Sequence, residues 1–132
     1  MKKRASLPDT NFILRYLLRD NEAHFAEAAA YFENVRIGKE SALISESVLV
    51  ECLYVLTKHF QVPRIEASAG LGGILLYKGV VNTDRDVLTK ALSLFAESRL
   101  DPVDCILVQR NALEGHTVRT FDKALISRIA AT

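Results

Sequence analysis

Short apolar stretches with extended-chain character alternate with longer runs at helical spacing, and this alternation limits the fold more than any other feature of the chain. The strand candidates are Ala5 to Asp9, Ala42-Leu43-Ile44, Gly79-Val80-Val81-Asn82 and His116 to Thr120. Between them the pattern predicts helices over Thr10 to Leu18 and about Glu22 to Val35, the second with Phe25, Ala28, Ala29 and Phe32 near helical spacing. A longer helix, capped by Ser45 or Ser47, is expected to run through His59, where Val62-Pro63 breaks it. Further helices are expected over Arg64 to about Leu76, from Thr83 or Asp84 to Ser98, from Asp101-Pro102 to Gly115, and from Phe121 to the end. Short strands alternating with helices imply an α/β domain with a parallel sheet covered on both faces.

In open sheets of that kind, ligands bind beyond the carboxyl ends of the strands. Asp9 ends the first strand candidate, and Asp122 lies just after the last. If those strands run the same way, both carboxylates reach the same edge.

The chain has 132 residues, with no repeat and no Gly/Ser/Pro-rich linker, so a single domain over 1–132 is expected. No apolar run approaches the roughly 18 residues of a membrane span. Met1-Lys2-Lys3-Arg4 is basic, but no apolar core follows it, so a secretory signal is not expected. Cys52 and Cys105 sit in apolar runs without CxxC spacing, which reads as buried thiols in a reducing compartment and so a cytoplasmic protein. The net charge of +1 does not advertise nucleic-acid binding. A basic rim can still be hidden in a balanced total if acids cluster elsewhere.

Several acids lack a local partner. On a helix, Glu51 has Ser47, Val48, Tyr54 and Val55 three and four positions away, none of them basic. Asp104 sees Leu100, Asp101, Leu107 and Val108, and Asp101 adds repulsion. Asp122 is followed at those spacings by Leu125 and Ile126. By contrast, Glu114 has Arg110 and Glu33 has Arg36, as solvated surface acids do. A carboxylate among apolar neighbours needs compensation, and a divalent cation provides it. Plainer roles exist for each: Asp9 and Asp122 stand where helices start, Asp104 falls in a first turn, and Glu51 fits an exposed helix edge. His24, His59 and His116 have no ligand spacing and read as surface or structural residues. GLGGILL lacks the glycine order of a phosphate loop.

The segments LPDTNFILRYLLRD, SESVLVECLYVL and LDPVDCILVQRNALEGHTVRTFDKAL together resemble the PIN-domain nucleases, and most of all the small VapC-type toxins of toxin–antitoxin pairs. The likeness covers essentially the whole chain in order, with DTN and TFD its more specific parts. It implies a PIN-like three-layer α/β/α sandwich with a central parallel sheet of four to five short strands. It also implies an acidic pocket for Mg²⁺, or Mn²⁺, formed by Asp9, Glu51, Asp104 and Asp122. Thr10 and Asn11 complete the first motif, Thr120 matches a polar position that orders the pocket, and Asp101 is an outlying acid. Glu46 lies near the second motif, but Glu51 fits it better.

Two departures stand out. Pro8 removes a backbone donor just before the first acid, which a strand end can tolerate. The chain also stops soon after Asp122, where many relatives have a last strand.

The implied activity is hydrolysis of RNA phosphodiester bonds. Asp9 and Asp104 would hold the ion directly, and Glu51 and Asp122 would hold its waters or a second ion. Substrate contacts are expected from Arg15, Arg19, Lys58, Arg119 and Lys123, each of which also reads as a solvated charge. Single-stranded or looped RNA is the favoured target, because its backbone can be splayed into a pocket. A homodimer and an antitoxin partner are expected from the resemblance. A receiver domain is disfavoured because no Asp ends the Ala42–Ile44 strand, and a DxD phosphatase because Asn11 stands at the second position. A PIN-fold module that binds RNA or a partner without turnover is the alternative reading.

Overall fold

The structure, a computed structural model, describes residues 4–132; the basic start Met1-Lys2-Lys3 lies outside them. Among the described residues there are seven α-helices: α1 Thr10–Leu18, α2 Glu22–Ile37, α3 Glu46–Tyr54, α4 Arg64–Leu75, α5 Arg85–Glu97, α6 Pro102–Glu114 and α7 Lys123–Ala131. A π-helical turn, Val55–His59, prolongs α3. The expected helices therefore all form, with ends shifted by a residue or two.

Their boundaries follow from local chemistry. Asp9 opens α1 by accepting the Phe12 N–H at 2.9 Å. Asn21 opens α2 by accepting the His24 N–H at 3.0 Å. Asp122 opens α7 by accepting the Leu125 N–H at 3.0 Å. Gly38 ends α2 at φ 87° and Gly115 ends α6 at φ 75°, left-handed conformations that glycine adopts without strain. Pro102 stands at the start of α6, where its missing N–H costs nothing.

The helices surround one core. α1 packs on α2 and α3, α5 packs on α4 and α6, and α6 also touches α3 and α7. Ile13, Phe32, Leu49, Leu71, Leu88, Phe95 and Val108 are all buried in it. Cys52 and Cys105 are free thiols inside this core. Burial pushes the Cys52 thiol up to about 12 and the Cys105 thiol up to about 11, so neither is a ready nucleophile near neutrality. Among the described residues, no helix is long and apolar enough to cross a membrane.

The expected central parallel sheet does not form. Among the described residues, the extended segments meet only at two isolated parallel bridges, Ser6 to Ala42 and Ala42 to Val80. The Ala42 segment lies in the middle. Ser6 N–H donates to Ser41 O and Leu43 N–H to Ser6 O, both at 2.9 Å; on the other side Ala42 N–H donates to Gly79 O and Val81 N–H to Ala42 O, again at 2.9 Å.

Both ladders stop after one rung for identifiable reasons. The next donor on the Ser6 side would be the N–H of residue 8, which is proline and has none. On the Val80 side, the Ile44 N–H and C=O that would continue the ladder are taken by the Asn82 side chain instead. The fourth candidate, His116 to Thr120, takes no regular secondary structure and makes no β-bridge among the described residues. A sandwich around a four- to five-stranded sheet is therefore corrected to a helical domain threaded by three parallel, singly bridged segments.

Gly79 shows how tightly these segments fit. A Cβ there would stand 2.0 Å from Glu40 O and 2.7 Å from Val35 O, which are backbone atoms with little room to move.

Candidate active site

Asp9 and Glu51 come from distant parts of the chain but line the same cleft. Asp9 reaches it as the residue that starts α1, and Glu51 from α3. Thr10, Asn11, Leu14 and Arg15 line it from α1, Val48 from α3, and Val55, His59 and Phe60 from the π-helical turn and its end. The cleft has a volume of about 580 Å³. The Thr10 carbonyl also accepts the Cys52 thiol at 3.9 Å, which fastens the start of α1 to α3.

Asp104, Asp101 and Asp122 form a second acidic group. The Asp104 carboxyl lies in the first turn of α6 and titrates above its usual range. Burial is the larger cause, and the like charges of Asp101 and then Asp122 add to it. Asp101 occupies the cap position of α6 but makes no side-chain capping bond. The Tyr54 hydroxyl, on the helix that carries Glu51, is also raised, by burial and then by Asp101 and Asp104. Thr120 Oγ accepts the Asp122 N–H at 3.0 Å and so shapes the turn that presents Asp122.

No three His, Cys, Asp or Glu side chains among the described residues converge into a ready-made metal cage. The two acidic groups are all-oxygen donors of the kind that hard divalent cations take.

The cations divide in the same way. Arg15 pairs with Asp20 at 2.8 Å, and Arg19 lies over the Phe25 ring at 4.8 Å, so both are engaged locally. Lys58, Arg119 and Lys123 are exposed and make no ion pair among the described residues.

Three residues near the site have structural surroundings that sequence reasoning missed. His59, read as a surface or structural residue, lines the cleft together with Phe60. Arg110, read only as the partner of Glu114, also reaches Glu46 at 2.7 Å and Asp84 at 3.3 Å. It thereby ties α6, which carries Asp104, to the start of α3, which carries Glu51. The sequence showed only its i,i+4 spacing to Glu114, which hides the two longer-range partners.

A family model described as PIN domain matches residues 6–131. No curated protein and no solved structure matched.

Proposed function

The chain belongs to the PIN-domain family, whose members are generally nucleases that use divalent metal ions, and on that premise we propose that it is a metal-dependent endoribonuclease acting as the toxin of a VapC-type toxin–antitoxin pair. The observation that carries the reading is the pair of carboxylates that line one cleft, Asp9 and Glu51; beside it stands Asp104, whose carboxyl is raised by burial first and then by the like charges of Asp101 and Asp122. A divalent cation relieves such crowding, and the donor set of carboxylate oxygens fits Mg²⁺, with Mn²⁺ as a substitute.

Asp9 and Asp104 would hold the ion, with Glu51 and Asp122 holding its waters or a second ion. When bound, the ion supplies a more acidic water and offsets charge building on the phosphate. The remaining tasks fall to the chain. The oxygen of water bonds to phosphorus as the bond from phosphorus to the leaving sugar oxygen breaks. Glu51 or Asp122 orients that water and takes its proton. Thr10 and Asn11 shape the Asp9 side of the cleft, and Thr120 fixes the Asp122 turn. Lys58, Arg119 and Lys123 draw in the RNA backbone, with Arg15 and Arg19 in supporting positions.

The chain would act as a homodimer in the cytoplasm, held in check by a cognate antitoxin protein. Cleavage of an end-labelled RNA at internal positions in Mg²⁺, lost in EDTA, is the expected result. Binding without cleavage in any metal would replace the nuclease with a non-catalytic PIN-fold module. A light-scattering mass equal to one chain would remove the dimer.

A further inference from the structure

The cleft holds more than hydrolysis requires. The part of the cleft that serves the proposed hydrolysis is its acidic corner, Asp9 and Glu51. Yet its floor is apolar, formed by Leu14, Val48 and Val55, and its rim carries His59 and Phe60. At about 580 Å³ the cleft lies within the roughly 300–1,000 Å³ of small-molecule sites, well beyond the needs of an ion.

The π-helical turn sets this rim. Phe60 N–H closes it by donating to Val55 O at 3.1 Å, a wider turn than an α-helix makes. Gln61 follows at φ 54° and turns the chain away. Phe60 stays 39% exposed, so part of its ring surface is open to a ligand. It meets His59 edge-on, with centroids 4.7 Å apart at 84°, which hides less ring surface than stacking does. Lys58, on the same turn, is exposed and unpaired among the described residues.

We propose that the Phe60 rim and the apolar floor form a nucleobase subsite. One unstacked base of a single-stranded nucleic acid would lie against Phe60 while its phosphate reaches toward Asp9 and Glu51. This deepens the nuclease reading and rests on it for the phosphate's position. The occupant follows from the juxtaposition: an aromatic platform and an acidic corner in one cleft, with the exposed Lys58 on the turn that ends at Phe60, suit a base, a bound cation and a phosphate backbone in turn.

The chain contains no tryptophan, so Phe60→Trp introduces a single reporter. A decamer of uridylate and a decamer of the same length without bases are titrated into that variant in EDTA. Quenching of the tryptophan by the base-bearing decamer alone is expected. By fluorescence anisotropy, Phe60→Ala should lose about tenfold or more in affinity for the base-bearing decamer and little for the abasic one, while Phe60→Trp keeps wild-type affinity. Phe60→Leu, which keeps apolar bulk without a ring face, should behave like the alanine variant. Equal quenching by both decamers, or equal affinity of Phe60→Ala and wild type, overturns the subsite. Phe60-dependent binding by a wild type that cuts no RNA in Mg²⁺ removes the nuclease and keeps the subsite. Cleavage by a wild type whose binding ignores Phe60 does the reverse.

Discussion

The Asn82 side chain grips the Ile44 backbone through both of its polar groups. Ile44 N–H donates to Asn82 Oδ1 at 2.8 Å, and Asn82 Nδ2 donates to Ile44 O at 2.8 Å. A side-chain amide thus makes the hydrogen bonds that a longer parallel ladder would have made. Asn82 Nδ2 also reaches Asp84 at 3.1 Å, and Asp84 in turn receives Arg110 at 3.3 Å. One polar chain therefore runs from the bridged segments through the start of α5 to α6.

Asn82 is only 9% exposed, so this chain has little water to fall back on. Asn82→Ala leaves the Ile44 N–H and C=O without partners. The expected loss is about 2–6 kcal/mol, from two buried backbone groups unsatisfied at roughly 1–3 kcal/mol each. Urea unfolding measures it. A loss under about 0.5 kcal/mol would mean that the ladder reforms with backbone partners.

Arg110 links three carboxylates on different elements. Arg110→Ala is expected to destabilise by about 1–2 kcal/mol, because its pairs are half-exposed and only partly desolvated. A double-mutant cycle with Glu46→Gln should show coupling of about 0.5–1 kcal/mol that shrinks in high salt. Additive losses would mean that the Glu46 contact ties nothing.

Asp104 gives a pH signature. Its carboxyl titrates higher in the fold than in the unfolded chain, so its contribution favours the fold at acid pH. That contribution fades as pH rises through the folded value, which lies above 3.8. Without metal, Asp104→Asn should therefore melt above wild type, and the gap should widen as pH rises from about 3.8 toward neutrality. With Mg²⁺ the wild type should gain stability and the variant should gain less. A wild-type melt that ignores Mg²⁺ would count against this acid as a ligand.

The helices were legible because their signals are local. Asp9 and Asp122 cap the residues beside them and Gly115 stops α6 from within the same turn, whereas the Asn21 cap and the Gly38 stop of α2 went unread. The sheet was misread because a strand depends on partners far along the chain. Pro8 was visible as a missing donor, but its position opposite Leu43 was not. Asn82 read as the end of a strand, while its amide in fact displaces the next rung on a segment 38 residues away.

The acids were legible as carboxylates without cations nearby, and Asp101, Asp104 and Asp122 do crowd one another. The basic residues were less so. Arg15 has Asp20 and Arg19 has Phe25, contacts that need the turn after α1 to bring them together. His59 read as a surface or structural residue and Phe60 drew no reading of its own; the π-helical turn and its end bring both to the cleft.

We propose that Asp9 serves metal-dependent cleavage as well as capping α1. Asparagine caps a helix about as well as aspartate, so Asp9→Asn keeps the start of α1 while removing the charge. Wild type and Asp9→Asn are compared on a mixed RNA substrate with Mg²⁺, Mn²⁺ and EDTA. Wild type is expected to cleave in either metal, to stop in EDTA, and to outpace the variant at least about a hundredfold at an unchanged melting temperature. Equal cleavage by both proteins, or cleavage that survives EDTA, would contradict it.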